Sequence, residues 1–410
     1  MNICPFCSSS GSTLIYGYLA CPLHPWVPKT TPIISNLFGD INLVKCNTCN
    51  HVYNKSFQQS QACDMYQCMT LTNIPVNEEM IQSNMFVVNF IKPYLPKNSI
   101  AAEIGGGYGV LSRALARFVK SVDFYEPSTA INIESFPEDN IFFIPGMFQQ
   151  ASKQYDLVVM KQVLEHIPNF YEVLSEIVKS LNKDGLLYIE VPNLDYILKG
   201  RSIVDVHYPH IHYFNGSFLR LVFDQLSLSI LKWDYLKNSH DICFLLIKKN
   251  LDSSNNITRG TPSRDNCEGS IIANNFSSTY DNGVENLESL AKCTFSLYGA
   301  NAYSQSFLSQ FSEYTSNLLT IYDDSPIGLD KCAYNHLSKF DVIAPNKSFV
   351  FNEKAIIITA YLHDLHISRK LRQHGFAGKI YTVRPFLDSP GLSDLVSIFH
   401  PKVHTPFADS

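Results

Sequence analysis

The feature that most constrains this chain is the run Glu103-Ile104-Gly105-Gly106-Gly107-Tyr108-Gly109. It follows a short apolar stretch, Ile100–Ile104, and precedes a helical pattern, Val110–Val119. Glycines between a strand and a helix allow a tight turn and a close approach of a ligand to the backbone. A dinucleotide fingerprint of the G-x-G-x-x-G type would need glycine at 110, where Val110 stands. The pattern is instead an acid followed by alternating glycines. A second acid, Glu126, closes the next predicted strand, Val122–Glu126. An acid in that place can accept hydrogen bonds from both ribose hydroxyls. With no phosphate-binding lysine in the loop, the pair suits an adenosine without phosphates. S-adenosylmethionine is such a ligand, and its sulfonium and amino groups favour a nearby carboxylate such as Glu103.

Further short strands are expected at Ile141–Ile144, Leu157–Met160 and Leu186–Val191, with a helix over Phe170–Leu181. Alternation of this kind implies a doubly wound, Rossmann-like parallel sheet. Leu228–Tyr235 and Asp241–Lys248 read as a hairpin at one sheet edge. At roughly 150 residues per domain, 410 residues suggest two or three domains. The spacing divides them into a Cys-rich block (1–75), the α/β block (76–249), a polar linker (250–286) and a second, smaller α/β unit (287–410). That last unit is read from the strands Cys293–Tyr298, Leu318–Tyr322, Ala355–Thr359 and Lys379–Val383, with helices Tyr303–Tyr314 and His363–His374.

Seven of the 11 cysteines fall at Cys4, Cys7, Cys21, Cys46, Cys49, Cys63 and Cys68. No secretory leader pattern precedes them, so a disulfide framework is not expected. Cys4/Cys7 and Cys46/Cys49 have the C-x2-C spacing that gives two thiolates to one tetrahedral zinc. These four are the expected structural site, with Cys21 and His24 as substitutes within the intervening loop. Four thiolates leave no open position for catalysis.

The net charge of −5 argues against a nucleic-acid partner, and no apolar run is long enough to span a bilayer. A cytoplasmic location follows as the expectation. Oligomeric state is not readable.

Residues 80–249 resemble the class I S-adenosylmethionine-dependent methyltransferases through Glu103–Gly109, Glu126-Pro127-Ser128, Asp156–Met160, Lys161–Ile167 and Gly185–Pro192. The resemblance implies that Glu103, Gly105, Gly107, Gly109, Glu126 and Gln162 contact the donor. It also reads His166 as structural. The order of zinc block, methyltransferase and second α/β unit further resembles sugar C-methyltransferases acting on nucleotide-linked keto-deoxysugars. In that family the third block helps form the substrate pocket, which here points to Gly299, and a Tyr after the zinc block contacts substrate, which points to Tyr66.

Aligning the His-rich turn, His207-Tyr208-Pro209-His210-Ile211-His212, on Tyr213-Phe214 places the family's base on His210. The family's Glu and Tyr fall on Pro209 and His207. His207 is then a second catalytic candidate, and Tyr208 and His212 become substrate-binding candidates. The chemistry is sound: a neutral imidazole can remove the proton beside a ketone, and the resulting carbanion attacks the sulfonium methyl. The same histidines also suit a metal or a structural turn. The competing functions are an O- or N-methyltransferase, a zinc-containing RNA methyltransferase and a non-catalytic donor-binding protein.

Overall fold

The computed structural model describes residues 3–59, 78–129, 139–149, 153–248, 269–290, 292–325, 331–345, 351–384 and 395–401. The central sheet has seven strands. In chain order they are β5 (Ile100–Ile104), β6 (Ser121–Glu126), β7 (Ile141–Pro145), β8 (Tyr155–Lys161), β9 (Leu181–Pro192), β11 (Leu228–Leu236) and β12 (Asp241–Lys248). Their spatial order is β11-β12-β9-β8-β5-β6-β7. The five strands from β9 to β7 are parallel, and the β11–β12 hairpin closes the edge antiparallel. Val158, Val159 and Met160 of β8 are fully buried, as expected for a strand covered on both faces.

The N-terminal block is less separate than its composition suggests. Its antiparallel sheet contains β1 (Ser12–Pro22), β3 (Phe38–Cys46), β4 (Val52–Asn54) and, at the far edge, β10 (His212–Tyr213) from the middle block. His212 pairs with Tyr53 and Tyr213 with Val52. A two-residue strand carries no periodicity, so the sequence boundary at 75 hides this junction. Gly39 of β3 lies where a Cβ would come within 2.1 Å of the Tyr208 ring, so glycine lets the strand sit directly on that side chain.

The third block is not the smaller of the two α/β units in strand number. Its sheet has eight strands: β2 (Val27–Pro28), β13 (Phe295–Tyr298), β14 (Leu318–Tyr322), β15 (Lys331–Tyr334), β16 (Lys339–Ile343), β17 (Ala355–Ile358), β18 (Lys379–Thr382) and β19 (Leu395–Ser397). Their order is β19-β18-β17-β13-β14-β16-β15-β2, so the N-terminal block lends an edge strand here as well.

The polar linker expected over 250–286 is corrected in its second half. Gly269–Leu290 is a helix, and Phe276, Leu287 and Leu290 enter the core it shares with Ile15, Val204 and Leu297. Serines and asparagines on the remaining faces disguise the apolar stripe. The helix Ala302–Gln310 is wedged between blocks, which accounts for its buried polar residues. Ser309 donates to the carbonyls of Leu19 and Ala20, both at 2.9 Å, and Ser306 donates to Val206 O, also at 2.9 Å. Asn301 caps this helix in a reciprocal pair with Ser304.

Candidate active site

The glycine loop folds as its sequence requires. Gly105, Gly107 and Gly109 have φ of 68°, 57° and 66°, in the left-handed region. A Cβ on Gly105 would lie 2.6 Å from Val163, so the loop also packs closely against the segment after β8. Glu126, at the end of β6, accepts from Gly107 N through Oε2 and from Ser128 N through Oε1, both at 2.9 Å. The carboxylate therefore fixes the loop against the second strand while keeping lone pairs for a ligand. Burial raises its pKa. Glu103 is buried and accepts from Ser112, and burial pushes it up to about 7.

These residues line a cavity of about 1150 Å³. Glu103, Gly105, Gly107, Glu126 and Gln162 all line it, and Gly109 caps the following helix instead. Gln162 sits at φ 57°, a conformation costly for a non-glycine residue, and its amide donates to Glu190 Oε1 at 3.3 Å. Tyr188 OH donates to the other oxygen of Glu190 at 2.8 Å, so a buried carboxylate behind the wall orients Gln162. Glu126→Ala is expected to lower S-adenosylhomocysteine affinity roughly 10- to 100-fold, the scale of a lost charged hydrogen bond. Calorimetry measures this, and an unchanged affinity would remove Glu126 from the donor site.

The same cavity is also lined by Lys237 and Asn238, from the β11–β12 turn, and by Leu362, His363 and Arg384 of the third block. Asp364 holds the Arg384 guanidinium through Nε at 2.9 Å and Nη2 at 3.0 Å. None of these cavity residues carries a sequence motif. Only assembly of the two sheets brings them together.

The histidines divide into two groups. His212 is buried, 3.0 Å from His51 Nε2, and its own Nε2 lies 2.9 Å from Ile167 O. Tyr208 is fully buried, stacked on Phe57, and its hydroxyl accepts from Gln58 N. Both are turned into the packing beneath the N-terminal sheet, away from the cavity, because β10 belongs to that sheet. Gly299, with φ 114°, packs against Ala360 and does not line the cavity either. These three substrate-contact expectations are therefore corrected. Tyr66 lies outside the described residues.

The second group is His166, His207 and His210. The His207 and His210 ring centres lie 3.9 Å apart with their planes tilted by 46°, and His166 meets His210 edge-on at 4.8 Å. His166, read from sequence as structural, is the one that lines the cavity, with His210 behind it. Burial lowers the pKa of all three, so they are neutral at pH 7.

The four cysteines expected to hold zinc converge. Cys4 Sγ is 3.6 Å from Cys49 Sγ, Cys7 Sγ is 3.5 Å from Cys46 Sγ, and all four sulfurs lie within 4.8 Å of one another. Tetrahedral zinc with Zn–S bonds of about 2.3 Å places its sulfurs about 3.8 Å apart, which these positions fit. Cys21 hydrogen-bonds with Tyr18 instead, away from the cluster.

The family model for a methyltransferase domain matches residues 76–245. Over 74 residues the chain is 34% identical to the C-methyltransferase NovU of Streptomyces niveus, a stretch that spans 18% of this chain and 18% of that protein. Among solved structures, the magnesium protoporphyrin IX methyltransferase of Synechocystis, with bound S-adenosylhomocysteine, is 16% identical. It aligns over 42% of this chain and 88% of its own, with a TM-score of 0.34. An S-adenosylmethionine-dependent methyltransferase from Clostridium acetobutylicum is 10% identical over 41% of this chain and 91% of its own, with a TM-score of 0.36. Residues 76–245 are a class I S-adenosylmethionine-dependent methyltransferase domain, and methyl transfer from that donor is the class of reaction such a domain performs. Among the described residues, no helix is long and apolar enough to cross a membrane.

Proposed function

We propose that the protein methylates carbon beside a ketone in a nucleotide-linked keto sugar. The observation that carries this reading is the size and lining of the cavity. At about 1150 Å³ it exceeds what one small ligand needs, and its lining includes both the donor loop and Lys237, His363 and Arg384. The guanidinium and ammonium donors on that lining, Arg384 and Lys237, suit an anionic substrate such as a sugar diphosphate. The partial likeness to a C-methyltransferase points the same way.

The ketone acidifies the neighbouring C–H bond. Its proton passes to the histidine cluster, whose His166 lines the cavity and whose His210 and His207 rings pack behind it, and the electron pair forms the enolate. The enolate carbon then attacks the sulfonium methyl, the C–S bond breaks, and S-adenosylhomocysteine leaves neutral. Most of the acceleration would come from holding carbon, methyl and sulfur in line. Zinc on Cys4, Cys7, Cys46 and Cys49 would be structural, because four thiolates leave it no open position.

The test is calorimetric titration of dTDP into protein saturated with S-adenosylhomocysteine. One-to-one binding that weakens at least tenfold in Lys237→Ala is expected. Absence of dTDP binding, with the donor product bound, would sink the dTDP-sugar assignment and leave the methyltransferase domain standing. NMR of a methylated product separates carbon from oxygen or nitrogen as the acceptor.

A further inference from the structure

We propose that Glu165, His166 and His210 form a second metal site, which takes a divalent transition cation at the cavity wall. Glu165 and His166 lie on the single helical turn Leu164–His166 that follows β8. His210 comes from the turn before β10, on the other side of the same gap. One ligand atom from each lies within 4.8 Å of the other two. His166 Nε2 and His210 Nε2 approach the same oxygen, Glu165 Oε1, at 3.9 and 4.0 Å.

Those distances are too long for hydrogen bonds. Glu165 is 1% exposed, and neither of its carboxylate oxygens has a hydrogen-bond partner. A carboxyl group left so in the interior is costly. A cation about 2.0–2.2 Å from each ligand satisfies it. Ligands around one such ion stand about 3.4 Å apart in a tetrahedron, so each imidazole nitrogen needs to close on Glu165 Oε1 by about half an ångström.

The imidazoles are prepared for coordination. His166 Nδ1 lies 2.7 Å from Pro209 O, a bond in which the ring N–H donates to the carbonyl. This leaves the Nε2 lone pair aimed at Glu165, the outer-shell arrangement found around metal-bound histidines. Pro209, where the resemblance leads one to expect a carboxylate, thus contributes a carbonyl, and Glu165 brings the carboxylate from the opposite side. Two nitrogens and one oxygen suit Zn²⁺, Mn²⁺, Co²⁺ or Fe²⁺, and three protein ligands leave positions open.

His166 lines the cavity, so an open position can face a substrate oxygen. Placed on the keto oxygen, the cation would stabilise the enolate as a Lewis acid. This use depends on the C-methylation reading; the binding of the cation does not. His210 is then a ligand and not the base.

The test counts metal in purified full-length protein supplemented with Zn²⁺ or Mn²⁺ and desalted, comparing wild type with Glu165→Gln and His210→Gln. The count is expected to fall by one ion per chain in each variant, with S-adenosylhomocysteine affinity within about twofold of wild type. Glu165→Gln preserves shape, so retained donor-product binding certifies its fold. An unchanged count in that variant overturns the proposal. Failure of the methyltransferase reading would appear separately, as wild-type protein that binds no S-adenosylhomocysteine.

Discussion

Cys46→Ser is expected to release one metal ion per chain and to destabilise the N-terminal block by several kcal/mol. The scale comes from structural zinc sites, where metal binding supplies about 10–16 kcal/mol of folding free energy in isolated fingers. The loss here should be smaller, because Cys4, Cys46 and Cys49 also belong to a hydrophobic cluster with Phe170 and Phe218. Without a cation, the cluster is an uneasy group of thiols: contact with Cys49 draws Cys4 below the usual thiol range, while Cys49 is driven up. The damage should spread along one route. Cys46 N donates to His51 O at 2.8 Å, and the His51 ring stacks on Phe218 at 4.4 Å and meets His212. His212 lies two residues from His210, so the knuckle supports the turn that carries a candidate catalytic side chain. Metal analysis with thermal melting checks this. Wild-type metal content and wild-type melting in both Cys4→Ser and Cys46→Ser would sink the zinc site.

The glycine loop, Glu126 and Gln162 were legible because their relation is local: a strand end, a turn and a helix start appear in order along the chain. The cysteine pairs were legible for the same reason, since each C-x2-C fixes its own knuckle. The histidine cluster was only half legible. The turn from His207 to His212 stands out in sequence, but which rings face the cavity depends on the pairing of His212 with Tyr53 across a block boundary. That pairing rotates His212 and Tyr208 inward and leaves His210 beside His166. Glu165 reads as part of an apolar Val163–Ile167 stretch, and nothing nearby in sequence identifies its partner. Lys237, His363 and Arg384 converge from separate blocks, and no local signal can announce that. The helix Gly269–Leu290 escaped because its polar residues resemble a linker, while Phe276, Tyr280, Val284, Leu287 and Leu290 mark the face that packs.

Raising the pH from about 6.5 to 9.5 should remove about 3 kcal/mol of stability through a single buried histidine, His240. It sits in the β11–β12 turn between two aspartates. Its Nδ1 lies 2.6 Å from Asp241 Oδ1, and its Nε2 lies 3.0 Å from Asp205 Oδ1. Tyr361 of the third block donates to Asp205 Oδ2 at 2.7 Å, and Tyr303 OH is 3.4 Å from His240 Nε2. Lys237 Nζ pairs with Asp241 Oδ2 at 2.6 Å. Burial by itself would discharge the imidazole, but the two carboxylates outweigh it and raise His240 to about 9. Both aspartates are held below their usual range despite burial, by His240 together with Lys237 at Asp241 and Tyr361 at Asp205. A raised pKa contributes stability that is complete below the unfolded value near 6.5 and is lost as pH passes the folded value of about 9. The network joins the methyltransferase domain to the third block, so the loss should loosen the junction beside Lys237 and Arg384. His240→Gln removes the titrating group and leaves two buried carboxylates, of which Asp241 keeps Lys237 and Asp205 keeps the Tyr361 hydroxyl, at a cost of about 3–5 kcal/mol near neutral pH. Denaturant unfolding at both pH values should show the gap between wild type and variant narrowing by about 3 kcal/mol on the alkaline side. A gap that stays constant would mean that His240 is neutral in the folded protein and that the aspartates are held by Lys237 and the tyrosines alone.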